Sequence, residues 1–334
     1  MAGGSVLLVG GGLTSALTAS LLAEAAPGVA VTVWEKARGA GGRFATSRAP
    51  SEPACTVDLG AQYLSPSAEE LRGAQYQRLL AAGILAPLDL AQVRGHRHPP
   101  ASEHFVAPAG TSSVVKHLLA TAGARCNFGR RVEGVAATAG GRWRVRAEGG
   151  EEEEYDAVVL TTPVPQLLQL GGDLPRLLEE RGVVEDLSKV SYSTRFVLGL
   201  FFNSPVELGT GWAASYLEAH PVLRYVAVDS SKRGRAGGPT SVVVHSTVPW
   251  GLANTHLSLQ QAEVELSREV RELFPSWPEP QERKVLRWLY SQVSACTSSG
   301  SSCCCLSLKA CFFSCFSSDS HFCPVTFFFA FFCS

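Results

Sequence analysis

The N-terminal part of the chain alternates short apolar runs with glycine-rich segments. Val6–Val9 is a continuous apolar run, glycines follow at positions 10 to 12, and Leu13–Glu24 is a helical stretch. A second apolar run, Val29–Trp34, comes next. Continuous apolar runs of this length are typical of strands that are buried on both faces of a parallel sheet. The pattern therefore predicts a strand–helix–strand unit of an α/β fold.

The middle of the chain predicts further helices and a small antiparallel sheet. Helices are expected over Ala68–Leu85 and Ser112–Ala122, and serines at the start of the second are suited to capping it. Arg131–Val135 and Trp143–Ala147 alternate apolar and polar positions, as antiparallel strands do. Tyr155–Thr161 is an apolar run that we expect to return to the first sheet. Together they predict a meander inserted in a doubly wound domain.

Beyond position 163 the predicted strands become longer and richer in aromatic residues and valine. They cover Ser193–Phe202, Leu223–Asp229 and Ser241–Thr247, and a helix over Leu257–Leu273 crosses them. This pattern predicts a second, α+β domain built on an antiparallel sheet. Clefts between domains are common ligand sites, so we expect the substrate to bind there.

The glycines after the first apolar run carry a candidate dinucleotide site. Gly10 would allow the tight bend, and Gly12 would let the backbone approach a pyrophosphate that is stabilised by the N-terminus of the helix. Ser15 stands where the fingerprint has its third glycine, so the match is partial. Glu35 ends the second run and is placed to accept hydrogen bonds from a ribose. The unit predicts a bound dinucleotide.

Two later segments indicate which kind of dinucleotide is bound. Gly39-Ala40-Gly41-Gly42-Arg43 places small residues before one arginine, which suits a loop against a phosphate or a flavin edge, and Asp58-Leu59-Gly60-Ala61-Gln62-Tyr63 adds an amide and a phenol. In this order the segments resemble the flavin-containing amine oxidase superfamily, where a dinucleotide fold precedes a GGR loop and a DxG segment near the flavin ring. The resemblance implies FAD as the cofactor.

Within that superfamily the chain resembles the renalase family, from the N-terminus to about Val293. The motifs are Val33-Trp34-Glu35-Lys36, the segment from Asp58 to Tyr63, Phe105-Val106-Ala107-Pro108 with Gly110, Thr161-Thr162-Pro163-Val164-Pro165, Ser191-Tyr192-Ser193 and Leu198-Gly199-Leu200-Phe201. The resemblance implies a Rossmann-type FAD-binding domain over residues 1–66 and 104–164, and a substrate domain over 67–103 and 165–293. The predicted cofactor contacts come from Gly10, Gly12, Thr14, Glu35, Gly42, Arg43, Gln62, Tyr63 and Val132.

The resemblance also implies an activity. Renalases oxidise the 2- and 6-dihydro isomers of NAD(P)H to NAD(P)+, pass the hydride to the flavin and reduce dioxygen to hydrogen peroxide. An FAD amine oxidase acting on catecholamines is the enzymatic alternative. A non-catalytic isoform that binds FAD weakly and acts through a protein partner is the third hypothesis. The expected small-molecule partners are a dihydronicotinamide dinucleotide and dioxygen.

Candidate substrate residues lie in the second domain. His245 interrupts an apolar strand and is the candidate catalytic residue, while Tyr63, Tyr216 and Arg224 are candidates for substrate binding. For His245, Tyr216 and Arg224 the structural alternative is a satisfied position in a half-buried sheet. The eight histidines are scattered and no Ser/His/Asp set stands out, so we expect neither a metal centre nor a nucleophilic triad.

Composition and charge exclude several other classes. A formal net charge of −1 gives no field for nucleic acid. No run reaches the roughly 18 apolar residues of a membrane span. The N-terminal apolar stretch lacks a basic region before it, and its glycines are explained by the cofactor fold. The expectation is a cytoplasmic protein, with secretion without cleavage as the alternative.

Residues 294–334 depart from the rest of the chain. They are rich in Ser, Cys and Phe, contain eight of the ten cysteines and hold the run from Phe327 to Phe332. Such composition predicts a low-complexity, disordered tail and resembles translation of an alternative terminal exon or of intronic sequence. Renalases carry a glycine-aspartate segment and a closing helix at this place, and neither is visible here. The difference is what motivates the non-catalytic hypothesis.

Overall fold

The computed structural model of the chain describes residues 3–99, 102–209, 211–235, 239–295 and 328–329. It forms two compact units: unit 1 contains residues 1–42, 115–192 and 292–334, and unit 2 contains residues 43–114 and 193–291. The cofactor-based division predicted from the sequence places 43–66 and 104–114 with the first domain and 165–192 with the second. That division, and a substrate site between the domains, stay predictions.

The described residues form strands and α-helices in the order predicted for an α/β protein. The strands are β1 (Ser5–Val9), β2 (Ala30–Glu35), β3 (Thr46–Arg48), β4 (Thr56–Asp58), β5 (Ala86–Pro87), β6 (Val93–Arg94), β7 (Phe105–Val106), β8 (Arg125–Phe128), β9 (Val132–Ala137), β10 (Trp143–Ala147), β11 (Glu152–Tyr155), β12 (Ala157–Leu160), β13 (Gly171–Gly172), β14 (Ser191–Phe202), β15 (Ala214–Tyr216), β16 (Leu223–Val228), β17 (Thr240–Ser246), β18 (Glu282–Ala295) and β19 (Phe328–Phe329). The helices are α1 (Leu13–Ala25), α2 (Ala68–Arg72), α3 (Ala74–Ala81), α4 (Ser112–Thr121), α5 (Val164–Leu167), α6 (Leu174–Glu180), α7 (Val184–Ser188), α8 (Asp229–Lys232), α9 (Val248–Ala253) and α10 (Leu259–Leu273).

Unit 1 is built on a parallel sheet with the strand order β19-β12-β1-β2-β8. β1 lies between β12 and β2, and its residues Leu7 and Leu8 are fully buried. The buried position explains why the strand is an uninterrupted apolar run. The predicted strand, helix and strand are confirmed, with the first βα turn at the carboxyl end of β1.

A second sheet completes unit 1. β9, β10 and β11 form an antiparallel meander, and β13 pairs parallel with β9. One hydrophobic core contains side chains from both sheets, including Leu7, Trp34, Val145 and Leu160. The predicted meander, and the return of the following strand to the first sheet, are confirmed.

Unit 2 is built on a six-stranded sheet with the order β18-β14-β17-β16-β15-β6, in which β14, β17, β16 and β15 are antiparallel neighbours. One face packs in a core that includes Phe196, Leu266 and Val270. The helix α10, which supplies the latter two, begins at the capping box of Ser258 and Gln261. The predicted antiparallel sheet of the second domain is confirmed.

Two details differ from the sequence-based expectations, and a third expectation is not tested. The single helix predicted over Ala68–Leu85 is wrong, because Gly73 adopts an extended conformation between α2 and α3 and α3 ends at Ala81. β16 ends at Val228, and Asp229 begins a short helix instead. The tail prediction for 294–334 lies outside the described residues, except that β18 continues to Ala295 and that the two residues of β19 pair with β12.

Candidate functional site

The glycine turn of unit 1 has a conformation that requires glycine at its first position. Gly10 has φ +111°, which L side chains rarely adopt, and its N–H donates to the Trp34 carbonyl at 2.9 Å. A Cβ atom at Gly10 would lie 2.6 Å from Thr161 Oγ1. The turn therefore bends β1 into α1 without space for a side chain.

The first turn of α1 offers main-chain donors. Gly12 is the N-cap residue and provides no side-chain cap, and the first turn contains no acidic residue. Thr14 is buried in this turn. Ser15, which replaces the third fingerprint glycine, is fully buried, and its hydroxyl is 2.9 Å from Thr161 Oγ1. A helix start of this kind suits an anionic group.

The second glycine loop packs directly on the first. Gly41 N–H donates to Gly11 O at 2.8 Å, and Gly41 forms a bridge with Gly12. Gly42 has φ +55°, and a Cβ atom there would lie 3.1 Å from Gly12 Cα. Both loops thus present backbone at close quarters, which is the arrangement that a pyrophosphate needs.

A carboxylate lies beside these loops. Glu35 ends β2, and its two oxygens accept hydrogen bonds from Gly11 N–H at 2.6 Å and from Ala37 N–H at 2.7 Å. The helix start, the glycines and this acid fit the adenosine and pyrophosphate parts of FAD. Val132 begins β9, and its side chain is buried in the core of unit 1, so a cofactor contact there stays a prediction.

The segments that carry Arg43 and Gln62 both belong to unit 2. Arg43 Nη1 donates to Ser291 O at 3.4 Å, and Ala61 N–H donates to Arg43 O at 2.9 Å. A Cβ atom at Gly60 would lie only 1.8 Å from Arg43 O. The backbone of Arg43 therefore contacts the backbone of Gly60 and Ala61, and this contact explains why glycine occupies position 60.

The substrate candidates lie together on one face of the unit 2 sheet. His245 on β17 pairs with Tyr225 on β16, which in turn pairs with Tyr216 on β15. Directly opposed residues share a face, and ring centroids are 4.9 Å apart for the two tyrosines and 5.7 Å apart for Tyr225 and His245. Tyr63 OH is 2.6 Å from Tyr216 OH. We call the cluster of Tyr63, Tyr216, Tyr225 and His245, in which Tyr225 is buried, the tyrosine face.

Tyr63 also connects this face to a group of histidines. Its hydroxyl is 2.8 Å from His98 Nε2, and the rings of His98 and His104 have centroids 4.3 Å apart. Burial, reinforced by Tyr216, raises the pKa of Tyr63 well above its usual value, so the phenol stays protonated. Among the described residues, no group of three or more His, Cys, Asp or Glu could hold a metal ion.

Gln62 lies between Lys232 and His245. Lys232 Nζ donates to Gln62 Oε1 at 2.8 Å, which identifies Nε2 as the donor end of the amide. This Nε2 donates to the carbonyls of Asp58 and Gly60 at 2.8 and 3.0 Å, and it lies 3.2 Å from His245 Nε2. Both N–H groups of the amide thus have backbone acceptors, and the contact with His245 does not require one tautomer of the ring.

His245 should remain neutral far below pH 7. Desolvation, followed by the charges of Arg195 and Lys232, lowers its pKa to about 3. The unfolded chain takes up a proton below about pH 6.5 while the folded chain does not, so this group lowers stability as the pH falls towards 3. We expect wild type to lose about 2 kcal/mol more than His245→Asn between pH 6.5 and 4.5 in urea unfolding. Equal losses of unfolding free energy in both proteins would contradict a lowered pKa of His245 in the folded chain.

A buried ion network binds Gln62 through Lys232. Asp229 is fully buried and binds Lys232 at 2.7 Å and Arg233 at 2.8 Å, and both cations are almost completely buried. Its Oδ2 also accepts a hydrogen bond from Asp58 N–H at 3.0 Å. This network and Arg195 are functional candidates that the sequence analysis missed. The one available signal was the sequence Asp229-Ser230-Ser231-Lys232-Arg233, which places both cations one helical turn after the acid.

Comparison with known proteins identifies the family. Residues 8–79 match a family described as an NAD(P)-binding Rossmann-like domain, and residues 92–302 match flavin containing amine oxidoreductase. The chain is 38% identical over 301 residues to renalase from Mus musculus, an alignment that covers 88% of this chain and 86% of the mouse protein. The chain belongs to the renalases. This renalase-family chain is therefore a flavoprotein oxidoreductase of the amine oxidase superfamily.

Solved structures support the same fold at low sequence identity. A protein from Exiguobacterium sp. 255-15 has a TM-score of 0.66 at 15% identity, with 88% of both chains covered. An oxidoreductase from Methanosarcina mazei has a TM-score of 0.56 at 12% identity, with 86% of this chain and 88% of the other covered. Among the described residues of this renalase-family chain, no helix has the length and apolar character needed to cross a membrane.

Proposed function

We propose that this chain is an FAD-dependent oxidase of dihydronicotinamide isomers, the 2- and 6-dihydro forms of NAD(P)H. The extensive match to renalase and the fit of the glycine turn, the helix start and Glu35 to a dinucleotide support this proposal. FAD, when bound, would supply hydride acceptance and the transfer of electrons to dioxygen that releases hydrogen peroxide. The protein would bind and orient the substrate.

The charge of the tyrosine face is the observation that carries the choice of substrate. Arg195 and Arg224 lie beside it, and the buried acid Asp229 is already paired with Lys232 and Arg233. An ammonium substrate would meet like charges there, which is unfavourable, whereas an anionic dinucleotide would be attracted. The charge therefore favours a dinucleotide over an amine.

The state of His245 agrees with the same chemistry. Conversion of a dihydropyridine to a pyridinium removes a hydride and no proton, so no side chain has to act as a general base. A histidine with a pKa of about 3 is a weak base, but the one N–H of its neutral ring can donate a hydrogen bond to a carboxamide oxygen. The half-buried aromatic ring of Tyr216, which packs on the buried Tyr225, provides apolar surface for a planar nicotinamide.

The visible absorption spectrum of the purified chain tests the proposal. We expect added FAD to give a retained flavin spectrum, which the 6-dihydro isomer of NAD bleaches without oxygen and which returns, with peroxide, when oxygen is admitted. Peroxide release with amines but not with dihydronicotinamides would establish the amine oxidase instead. A chain that retains no FAD would contradict the oxidase and support the non-catalytic isoform acting through a protein partner.

A further inference from the structure

Two arginines of unit 2 are directed to the same face of its sheet. Arg195 on β14 lies two residues before Val197, which pairs with His245, and alternation along the strand places Arg195 on the face of His245. Its Nη1 donates to Ser246 O at 2.8 Å, which fixes one side of the guanidinium. Arg195 is half-buried, so it presents a charge at the tyrosine face without extending into solvent.

A β-bulge in β16 determines the direction of the second arginine side chain, that of Arg224. Leu223 pairs with Ser246 and Tyr225 pairs with His245, so Arg224 is an extra residue in β16 between two successive pairs. Bulges change the direction of a side chain, and here the guanidinium lies over the Tyr216 ring at 5.4 Å from its centroid. Arg195 and Arg224 therefore approach the tyrosine face from two strands that flank β17.

The two cations have no neutralising partner in the described part of the chain. The ion pairs there include neither arginine, and nearby acids are engaged elsewhere: Asp229 with Lys232, and Glu218 with Arg97 at 2.8 Å. Burial, and then the charge of Arg224, lowers the pKa of Arg195, as expected for two like charges that approach each other. Such an arrangement is unfavourable alone and is relieved by an anion.

We propose that Arg195 and Arg224 form a subsite that binds a phosphate group of the nucleotide substrate. The inference rests on the proposed function and adds to it the residues that recognise the anionic part of the ligand. Guanidinium groups present fixed, paired donors to phosphate oxygens, so two of them would hold one phosphate firmly. The subsite would make the phosphate, in addition to the nicotinamide ring, a determinant of substrate choice.

A pair of probes that differ by one phosphate tests the subsite. Nicotinamide mononucleotide and nicotinamide riboside would be titrated calorimetrically into the chain in the presence of FAD. We expect Arg195→Gln and Arg224→Gln each to weaken mononucleotide binding about tenfold, equal to about 1.4 kcal/mol, and to leave riboside binding unchanged. Arg195→Lys should recover part of the affinity, because it keeps the charge and loses the paired donors.

Arg287→Gln is the matched control. Arg287 is a half-buried arginine of the same sheet, and it lies over the Phe196 ring on the other face. The Arg287→Gln variant should therefore bind the mononucleotide as wild type does. Equal affinities of wild type for the two probes, or equal losses for both probes in the variants, would overturn the subsite. The titration requires no turnover. A chain that binds the mononucleotide through both arginines but oxidises no dihydronicotinamide would therefore contradict only the proposed activity.

Discussion

Asp229→Asn is expected to lower the free energy of unfolding by about 3–5 kcal/mol, the usual result of removing one partner from a buried ion pair. Asp229 is fully buried and neutralises both Lys232 and Arg233, whose side chains are no more than 1% exposed. Asparagine keeps the size of the side chain but leaves both cations without a counter-charge. Urea unfolding followed by tryptophan fluorescence measures the loss.

An exposed ion pair of the same unit provides the control. Glu218 binds Arg97 at 2.8 Å, but both side chains are more than half exposed. Exposed pairs of this kind contribute less than about 1 kcal/mol, so Glu218→Gln should unfold almost as wild type does. If Asp229→Asn were as stable as Glu218→Gln, the buried charges of Asp229, Lys232 and Arg233 would not stabilise the folded chain.

Gly10→Ala should raise the dissociation constant for FAD by about tenfold to a hundredfold. The positive φ of Gly10 is strained for alanine by about 1–3 kcal/mol, and the added methyl would lie 2.6 Å from Thr161 Oγ1. The turn would have to move away from the position that directs the N-terminus of α1 at the pyrophosphate. Titration of the purified chain with FAD, followed by flavin absorption and fluorescence, gives the constant.

Gly28→Ala is the control for this change. Gly28 lies in the same unit, its φ is outside the positive range, and no heavy atom would lie within 4 Å of an added Cβ atom. We expect its FAD affinity to equal that of wild type. Unchanged FAD affinity in Gly10→Ala, with Gly28→Ala as the reference, would place the cofactor elsewhere.

Local patterns predicted the cofactor part of the fold well. Three features that are close in sequence predicted it: the apolar run of β1, the glycines after it and the acid at the end of β2. Each of them strongly favours one kind of local structure. The order of the six strands in unit 2 was not predictable in this way, because β6 and β18 join the sheet from residues far apart in the chain. Hydrophobic alternation indicates that a strand exists but not which strand lies beside it.

The site was predicted less completely for a similar reason. Tyr63, Tyr216 and His245 were found as single residues, whereas the meaning of Gln62 depends on Lys232, which is 170 residues away and hydrogen-bonded to it. Arg195 gave no signal, since an arginine in a strand is ordinarily a solvated residue. Its proximity to Arg224 results from strand pairing and a bulge, and a sequence pattern specifies neither.

The bulge in β16 also affects how this protein family can vary. Leu223 and Tyr225 already point to opposite faces of the sheet and pair with the adjacent residues Ser246 and His245. Deletion of Arg224 would therefore leave a regular ladder with every neighbouring side chain on its present face. The position can be gained or lost as a single codon, so the proposed phosphate subsite could appear or disappear in relatives without rebuilding the sheet.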